Sequence, residues 1–291
     1  MKPISELLEV LALNRLDGYQ FQGISKDIGS KRVFGGQVLA QALYAAAQTV
    51  EPQRQCHSLH AYFVLPGDLK SPILFEVDDI RDGGSFSTRR VIASQYGRAI
   101  FILAASFQLD QPGLDHQIEM LNVPPPESLA SDWQLVQQLD EPWRSRLSRF
   151  FSEDRPIEFK PVELINPLEP GHRPPFRHVW FRANGRLPDE PAMHRAVLAY
   201  ASDYNLLVTA LLPHNVSFLT HQVKMASIDH AMWFHREFRA DDWLLYALDS
   251  PSASGSRGFC RGSIFTRSGK LVASVTQEGL IRVVGGKEGS A

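Results

Sequence analysis

Ile4, Leu7, Leu8 and Leu11 recur at three- and four-residue intervals, the repeat of one helical face, and predict a short amphipathic helix at the start of the chain. Residues 19–28 read as a strand and loop. After Arg32-Val-Phe-Gly-Gly-Gln37 the pattern changes: residues 38–47 are Ala/Leu-rich with almost nothing polar, so they predict a helix buried nearly all round. Alternation then takes over, and strands are expected at 56–65, 73–80, 85–94 and 99–108. Turn signals separate them at Pro66-Gly67-Asp68, Asp82-Gly83-Gly84 and Tyr96-Gly97. The unit is one buried helix followed by an antiparallel meander.

Residues 109–175 break this pattern. Pro124, Pro125 and Pro126 mark an extended connection, residues 133–151 predict a partly exposed surface helix, and residues 157–164 predict a strand. The earlier order then returns: a strand at 178–183, a helix at 198–212, and strands at 223–234, 243–248, 258–266 and 271–283 with a turn at Ser268-Gly269. His60-Ala61 falls on His230-Ala231 at an offset of 170, and Gln108 falls on Gln277 at 169. Few identities at a near-constant offset, in the same element order, point to duplication. The expected fold is α+β, a double hotdog: two tandem repeats, each a long central helix wrapped by an antiparallel sheet. The expected units are residues 1–115, a linker at 116–155, and residues 156–291, with pockets where the halves meet.

Composition narrows the partners. The chain has 291 residues, enough for two domains, with 44% hydrophobic and 21% charged residues and a net charge of −2. No bulk attraction to nucleic acid or an anionic membrane follows from that balance. No apolar run approaches the ~20 residues of a membrane span. Glu6 and Glu9 interrupt the apolar positions that a signal peptide would need. The only cysteines, Cys56 and Cys260, lie far apart, which suits a reducing compartment and a cytoplasmic setting.

Candidate chemistry concentrates in the second half. Asp203 is the one charged residue between 197 and 212, at the expected start of the helix. A carboxylate among apolar side chains is costly unless it caps, pairs or works. It either caps the helix or aims into a substrate tunnel. Ser227 and Gln277 lie on strands, where each could simply satisfy local backbone. If the fold gathers them, a carboxylate, a hydroxyl and an amide suffice to hold and activate a water. The first half has Gly36 near the position of Asp203 and lacks the acid. The Gly-Gly pair either leaves amides free for a ligand or makes a tight entry turn. Ten histidines include no His-Glu-x-x-His, and Asp229-His230 with His235 reads as hydrogen bonding at a strand end, so no metal or other cofactor is expected.

Several segments together resemble the acyl-CoA thioesterase II family nearly end to end. They are Val33-Phe-Gly-Gly-Gln37, His57-Ser-Leu-His-Ala-Tyr-Phe63, Arg81-Asp-Gly-Gly-Ser-Phe-Ser87 with Arg89, Ala105-Ser-Phe-Gln108, Tyr200-Ala-Ser-Asp203, Ile228-Asp-His-Ala-Met-Trp-Phe-His-Arg236 and Arg257-Gly-Phe-Cys-Arg-Gly262. The resemblance implies a double-hotdog hydrolase that releases free fatty acid and CoA without metal or covalent serine, in a homodimer or homotetramer. It places the water-activating acid on Asp203 and the amide on Gln277. The third member is commonly Thr in that family; Ser227 keeps the hydroxyl and loses the methyl that restricts the Thr rotamer. Two other readings stand beside it. Hydration or dehydration of an acyl-CoA would need a His partner for the acid, and none follows Asp203 within a helical turn. A non-catalytic acyl-CoA-binding protein would not need all three polar residues.

Overall fold

The computed structural model describes residues 3–29, 31–148 and 150–286. Helix α1 (Pro3–Leu11) is followed by strands β1 (Asn14–Asp17) and β2 (Gln20–Gly23), helix α2 (Gly35–Ala47), and strands β3 (Arg54–Phe63), β4 (Ile73–Asp82), β5 (Phe86–Gln95) and β6 (Arg98–Leu109). Two short helices, α3 (Asp132–Gln137) and α4 (Trp143–Leu147), occupy the connection. Then come β7 (Ile157–Pro161), β8 (Phe176–Ala183), helix α5 (Pro191–Ser202) and a 3-10 stretch at Leu207–His214. The chain closes with β9 (His221–Ser227), β10 (Asp229–Phe234), β11 (Leu244–Ser254), β12 (Arg257–Thr266) and β13 (Leu271–Gly286).

The strands form one antiparallel sheet in the order β1-β2-β4-β5-β6-β3-β10-β13-β12-β11-β8-β7, with β9 beside β13. The seam between the halves is the β3–β10 pair, in which His60 faces Ala231 and Ala61 faces His230. Helix α2 lies on β3 to β6 and packs along α5. Its residues 36–43 are all buried, as the lack of polar positions requires. The two polar exceptions are satisfied locally: Gln41 Nε2 donates to the carbonyls of Val10 (2.7 Å) and Ile24 (2.9 Å), and Gln37 Nε2 to Ile24 (3.1 Å). The bond to Val10 ties α2 to α1, whose Ile4, Leu7 and Leu11 are buried against the same core.

The second half departs from the sequence pattern. The expected helix at 198–212 is α5 at 191–202, a break, and then the 3-10 stretch. It is the 3-10 stretch that packs on β8, β11, β12 and β13, while α5 lies against α2 and β3. Pro191 is tolerated at the first turn of α5, where its missing N–H would have no partner. Of the polar residues that disguise this turn, His194 accepts from Ala240 N–H (3.0 Å) within the second half, while Arg195 faces the first half and donates to Gln55 Oε1 (2.9 Å) and to the Cys56 carbonyl (3.1 Å). Residues 191–214 are apolar and long enough in composition to cross a membrane, but 67% of the window is buried and Asp203 interrupts it.

The single offset between the halves does not run through every strand. His60 faces Ala104 in the β3–β6 ladder, whereas the register that sets Ala231 opposite Thr276 brings His230 beside Gln277. Gln108 faces Gln55 instead. The connection is also more than an extended strap. Trp180, Leu245 and Phe265 form a second apolar cluster on the sheet, covered by Met120, Val123 and Leu129. Trp180 Nε1 donates to the Pro124 carbonyl (2.9 Å), which pins the proline run across that face.

Candidate active site

Asp203 does not start a helix. It is the C-cap of α5 (φ −77°, ψ −14°), at the negative end of the helix dipole. A carboxylate there is unfavourable unless donors from elsewhere reach it. Three do. The Gly36 backbone N–H donates to Asp203 Oδ2 at 2.8 Å, Gln277 Nε2 donates to Oδ1 at 2.7 Å, and the Ser227 hydroxyl points at Oδ1 from 3.4 Å. Gly36 lies in the first turn of α2, whose own N-cap, Phe34, has no side chain that can accept a hydrogen bond. Asp203 therefore caps a helix, but the helix of the other half. The Gly36 amide is thereby engaged by the acid rather than left to point at a ligand.

The glycine pair is required by this approach. A Cβ on Gly36 would lie 2.5 Å from the Tyr200 carbonyl oxygen and 2.6 Å from the Phe34 ring, and one on Gly35 would lie 2.8 Å from Asp203 Oδ2. Only glycine lets the N-terminus of α2 come this close to the end of α5. Phe34 packs edge-on against Tyr200 (5.2 Å between centroids) and tilted against Tyr204 (4.5 Å), the aromatic residues that flank Asp203 in the chain.

Ser227 and Gln277 are brought together by a break in a strand. The pattern predicts one strand at 223–234, but pairing stops at Ile228, whose N–H donates to the Glu278 carbonyl (2.9 Å) and whose carbonyl accepts from Phe63 N–H (2.9 Å). Residues three apart on an unbroken strand face opposite ways. The break lets Ser227, on β9, and His230, on β10, both reach Gln277 on β13. Gln277 Nε2 lies 3.0 Å from Ser227 Oγ and 3.2 Å from His230 Nδ1. Gln277 is fully buried, and its Oε1 has no hydrogen-bond partner among the described residues. The amide orientation follows from the carboxylate, which can only accept.

His230, which the sequence pattern assigns to hydrogen bonding at a strand end, is part of this cluster. It is fully buried, and burial pulls its pKa from 6.5 down to about 4, against the opposing pull of Asp203. The sequence signal that points to it is its place in the segment 228–236 next to Ser227. Among the described residues, no group of three or more His, Cys, Asp or Glu side chains gathers closely enough to hold a metal ion. Arg257 and Arg261 are ion-paired with Glu278 (2.9 Å) and Asp249 (2.8 Å).

The protein has a cavity of about 1410 Å³ whose wall includes neighbours of the cluster in sequence but not Asp203, Ser227, His230 or Gln277 themselves. Tyr200, Tyr204 and Gln37, each close in sequence to Asp203 or Gly36, form part of its wall. Leu7 and Val10 of α1 and Val136 of α3 line it too, so the connection shares in this cavity.

Similarity to known proteins decides the family. Residues 147–280 match the family model described as acyl-CoA thioesterase, and residues 24–108 match the acyl-CoA thioesterase N-terminal domain. Acyl-CoA thioesterase 2 of Haemophilus influenzae is 40% identical over 96% of this chain and 98% of its own length. The chain belongs to the acyl-CoA thioesterase family. Human acyl-coenzyme A thioesterase 8 is 45% identical over 94% of the chain and 88% of its own length. The crystal structure of an acyl-CoA thioesterase II from Mycobacterium marinum superposes with a TM-score of 0.78 at 42% identity, covering 95% of this chain and 98% of that one. A hot dog fold protein from Alicyclobacillus acidocaldarius, 20% identical, covers 95% of this chain and 98% of its own with a TM-score of 0.77, which speaks for the hotdog fold alone. The family is one of hydrolases, and the protein is an acyl-CoA thioesterase.

Proposed function

We propose that this acyl-CoA thioesterase hydrolyses fatty acyl-CoA by direct attack of water oriented by Asp203, Ser227 and Gln277. Water held against Asp203 gives its proton to the carboxylate as its oxygen bonds to the thioester carbonyl carbon. The C–S bond then breaks, the thiolate leaves as CoA and takes up a proton, and the acid remains. Gln277 Oε1, buried and otherwise unpartnered, is the acceptor that holds the water's second hydrogen, and Ser227 fixes the amide from the other side. The step needs no metal or cofactor, because carboxylate, hydroxyl and amide together supply base and orientation. The observation that carries this reading is the convergence of three donors from both halves on one carboxylate.

The cavity beside Tyr200 and Tyr204 takes the acyl chain in this reading. The same proposal treats the chain as a double hotdog of residues 1–115 and 156–291 joined by 116–155, working in the cytoplasm as a homodimer or homotetramer. The hydratase alternative would need a histidine with a nitrogen free to meet substrate. His230, the ring beside Asp203, has both nitrogens engaged, by Ser202 and Gln277, which weighs against it.

Release of free CoA thiol from a panel of saturated acyl-CoAs tests the reading. Stoichiometric acid and CoA are expected. Acyl-CoA that binds and comes back uncleaved would replace the proposal with a binding role, and loss of enoyl absorbance from crotonyl-CoA would replace it with hydration.

A further inference from the structure

His230 connects the proposed water-holding amide to the peptide that carries Asp203. Ser202, the residue before Asp203, is fully buried and its hydroxyl lies 2.8 Å from the Ala199 carbonyl and 3.0 Å from His230 Nε2. The hydroxyl has one proton and gives it to the carbonyl, which can only accept. It must then accept from the imidazole, so Nε2 carries the ring proton. Nδ1 is left with a lone pair, and it faces Gln277 Nε2 at 3.2 Å. The Tyr246 hydroxyl donates to the Ser202 carbonyl at 3.0 Å, and Tyr246 is fully buried, so the Ser202 end of the chain is anchored in the core.

This wiring has a direction. A side-chain amide can present either edge, and the two edges differ only in where N and O lie. A neutral ring with Nδ1 as acceptor favours the same N–H edge of Gln277 that the Asp203 carboxylate requires, so the two acceptors reinforce one orientation. A ring donating from Nδ1 would select the other edge, setting Gln277 Oε1 toward the ring and withdrawing the N–H from Asp203.

We propose that His230 is a positioning residue: its Nδ1 lone pair acts with the Asp203 carboxylate to hold the N–H edge of the Gln277 amide inward, and so keeps Gln277 Oε1 available to the attacking water. The proposal rests on the water-attack reading above for its catalytic consequence, but the state of the ring can be measured without turnover.

The test joins kinetics to nitrogen NMR. In the wild-type protein at neutral pH, the ¹⁵N shifts of His230 are expected to show a neutral ring protonated at Nε2; protonation at Nδ1 would overturn the proposal whether or not the protein turns over acyl-CoA. His230→Leu, checked for folding by thermal melting, is expected to lower kcat by roughly tenfold to a hundredfold with KM little changed, as loss of orientation does. His230→Asn places an oxygen acceptor near the position of Nδ1 and is expected to recover most of that loss. In a Gln277→Ala background, His230→Leu is expected to cost little more, because residues that act through one another are not additive. A full multiplicative loss in the double variant, or His230→Asn no better than His230→Leu, would assign His230 a role other than holding Gln277. If wild type releases no CoA, the thioester reading fails while the NMR result still decides the wiring.

Discussion

The Gly36 amide of the first half donates to the Asp203 carboxylate of the second at 2.8 Å, and this bond joins the N-terminus of one core helix to the C-terminus of the other. The candidate cluster draws on both ends of the chain. The positive end of α2 offsets the unfavourable position of a carboxylate at the end of α5, and glycine is the only residue that permits the approach.

Gly36→Ala is the direct test of that approach. The added methyl would sit 2.5 Å from a backbone oxygen, which cannot swing aside as a side chain could. A loss of roughly 1–3 kcal/mol is expected in chemical denaturation, the usual cost of overpacking. Thioesterase activity should fall further than stability alone explains, because the amide moves away from Asp203.

Gln277→Glu replaces a donor to Asp203 with a second carboxylate. Two acids this close cannot both ionise without cost. The variant is expected to be inactive and less stable than wild type at pH 7, with the stability gap narrowing on acidification toward pH 5. Thermal melts of both proteins across that range check it; a gap that widens as pH falls would show that the new carboxylate does not face Asp203.

Ser227 Oγ lies 3.0 Å from Gln277 Nε2, whose two N–H groups are shared among Asp203, Ser227 and His230, and 3.4 Å from Asp203, so it steadies the amide and the carboxylate together. Ser227→Thr keeps that oxygen and is expected to retain activity within a few-fold. Ser227→Ala removes it and should cost on the order of tenfold in kcat, about the effect of one neutral hydrogen bond.

Acid should destabilise the protein in two windows. The His230 pKa is held at about 4 in the folded protein, below its ordinary 6.5, by burial, with Asp203 the charge beside it. Between those values the unfolded chain binds more protons than the folded one, so stability rises with pH. This contribution is full above pH 6.5 and is lost as pH falls toward 4. Burial lowers His57, His194 and His235 in the same direction. Asp82, held near 2 chiefly by its hydrogen bond from Arg89, contributes above its ordinary 3.8 and loses that share as pH falls to 2. In denaturation titrations between pH 6.5 and 4, His230→Asn should show a shallower slope than wild type, by up to one proton.

Much of this architecture can be read from residue pattern. The meander at 54–109 and the last two strands lie within a few residues of where alternation places them, because half-buried strands carry their own period, whereas β11 runs six residues past its expected end at 248. The start of α5 cannot be read, because His194 and Arg195 resemble surface residues and instead bond across to Ala240 N–H and to Gln55. Asp203 has the sequence context of a cap for its own helix; that it caps α2 depends on a contact across 167 positions, which no local pattern carries. The meeting of Ser227 and His230 on Gln277 depends on the strand break at Ile228, and a run of β-formers does not announce it.

The most direct measurement is the rate of CoA release by Asp203→Asn beside wild type on the same acyl-CoA. Asparagine keeps an oxygen for the Gly36 amide and so preserves the joint between the helices, but it turns an NH2 toward Gln277 Nε2 and cannot take a proton from water. A folded variant slower by roughly a hundredfold or more is the expected result, the size of a lost general base. Equal rates in the two proteins would contradict it and leave Asp203 as the cap of α2 and nothing more.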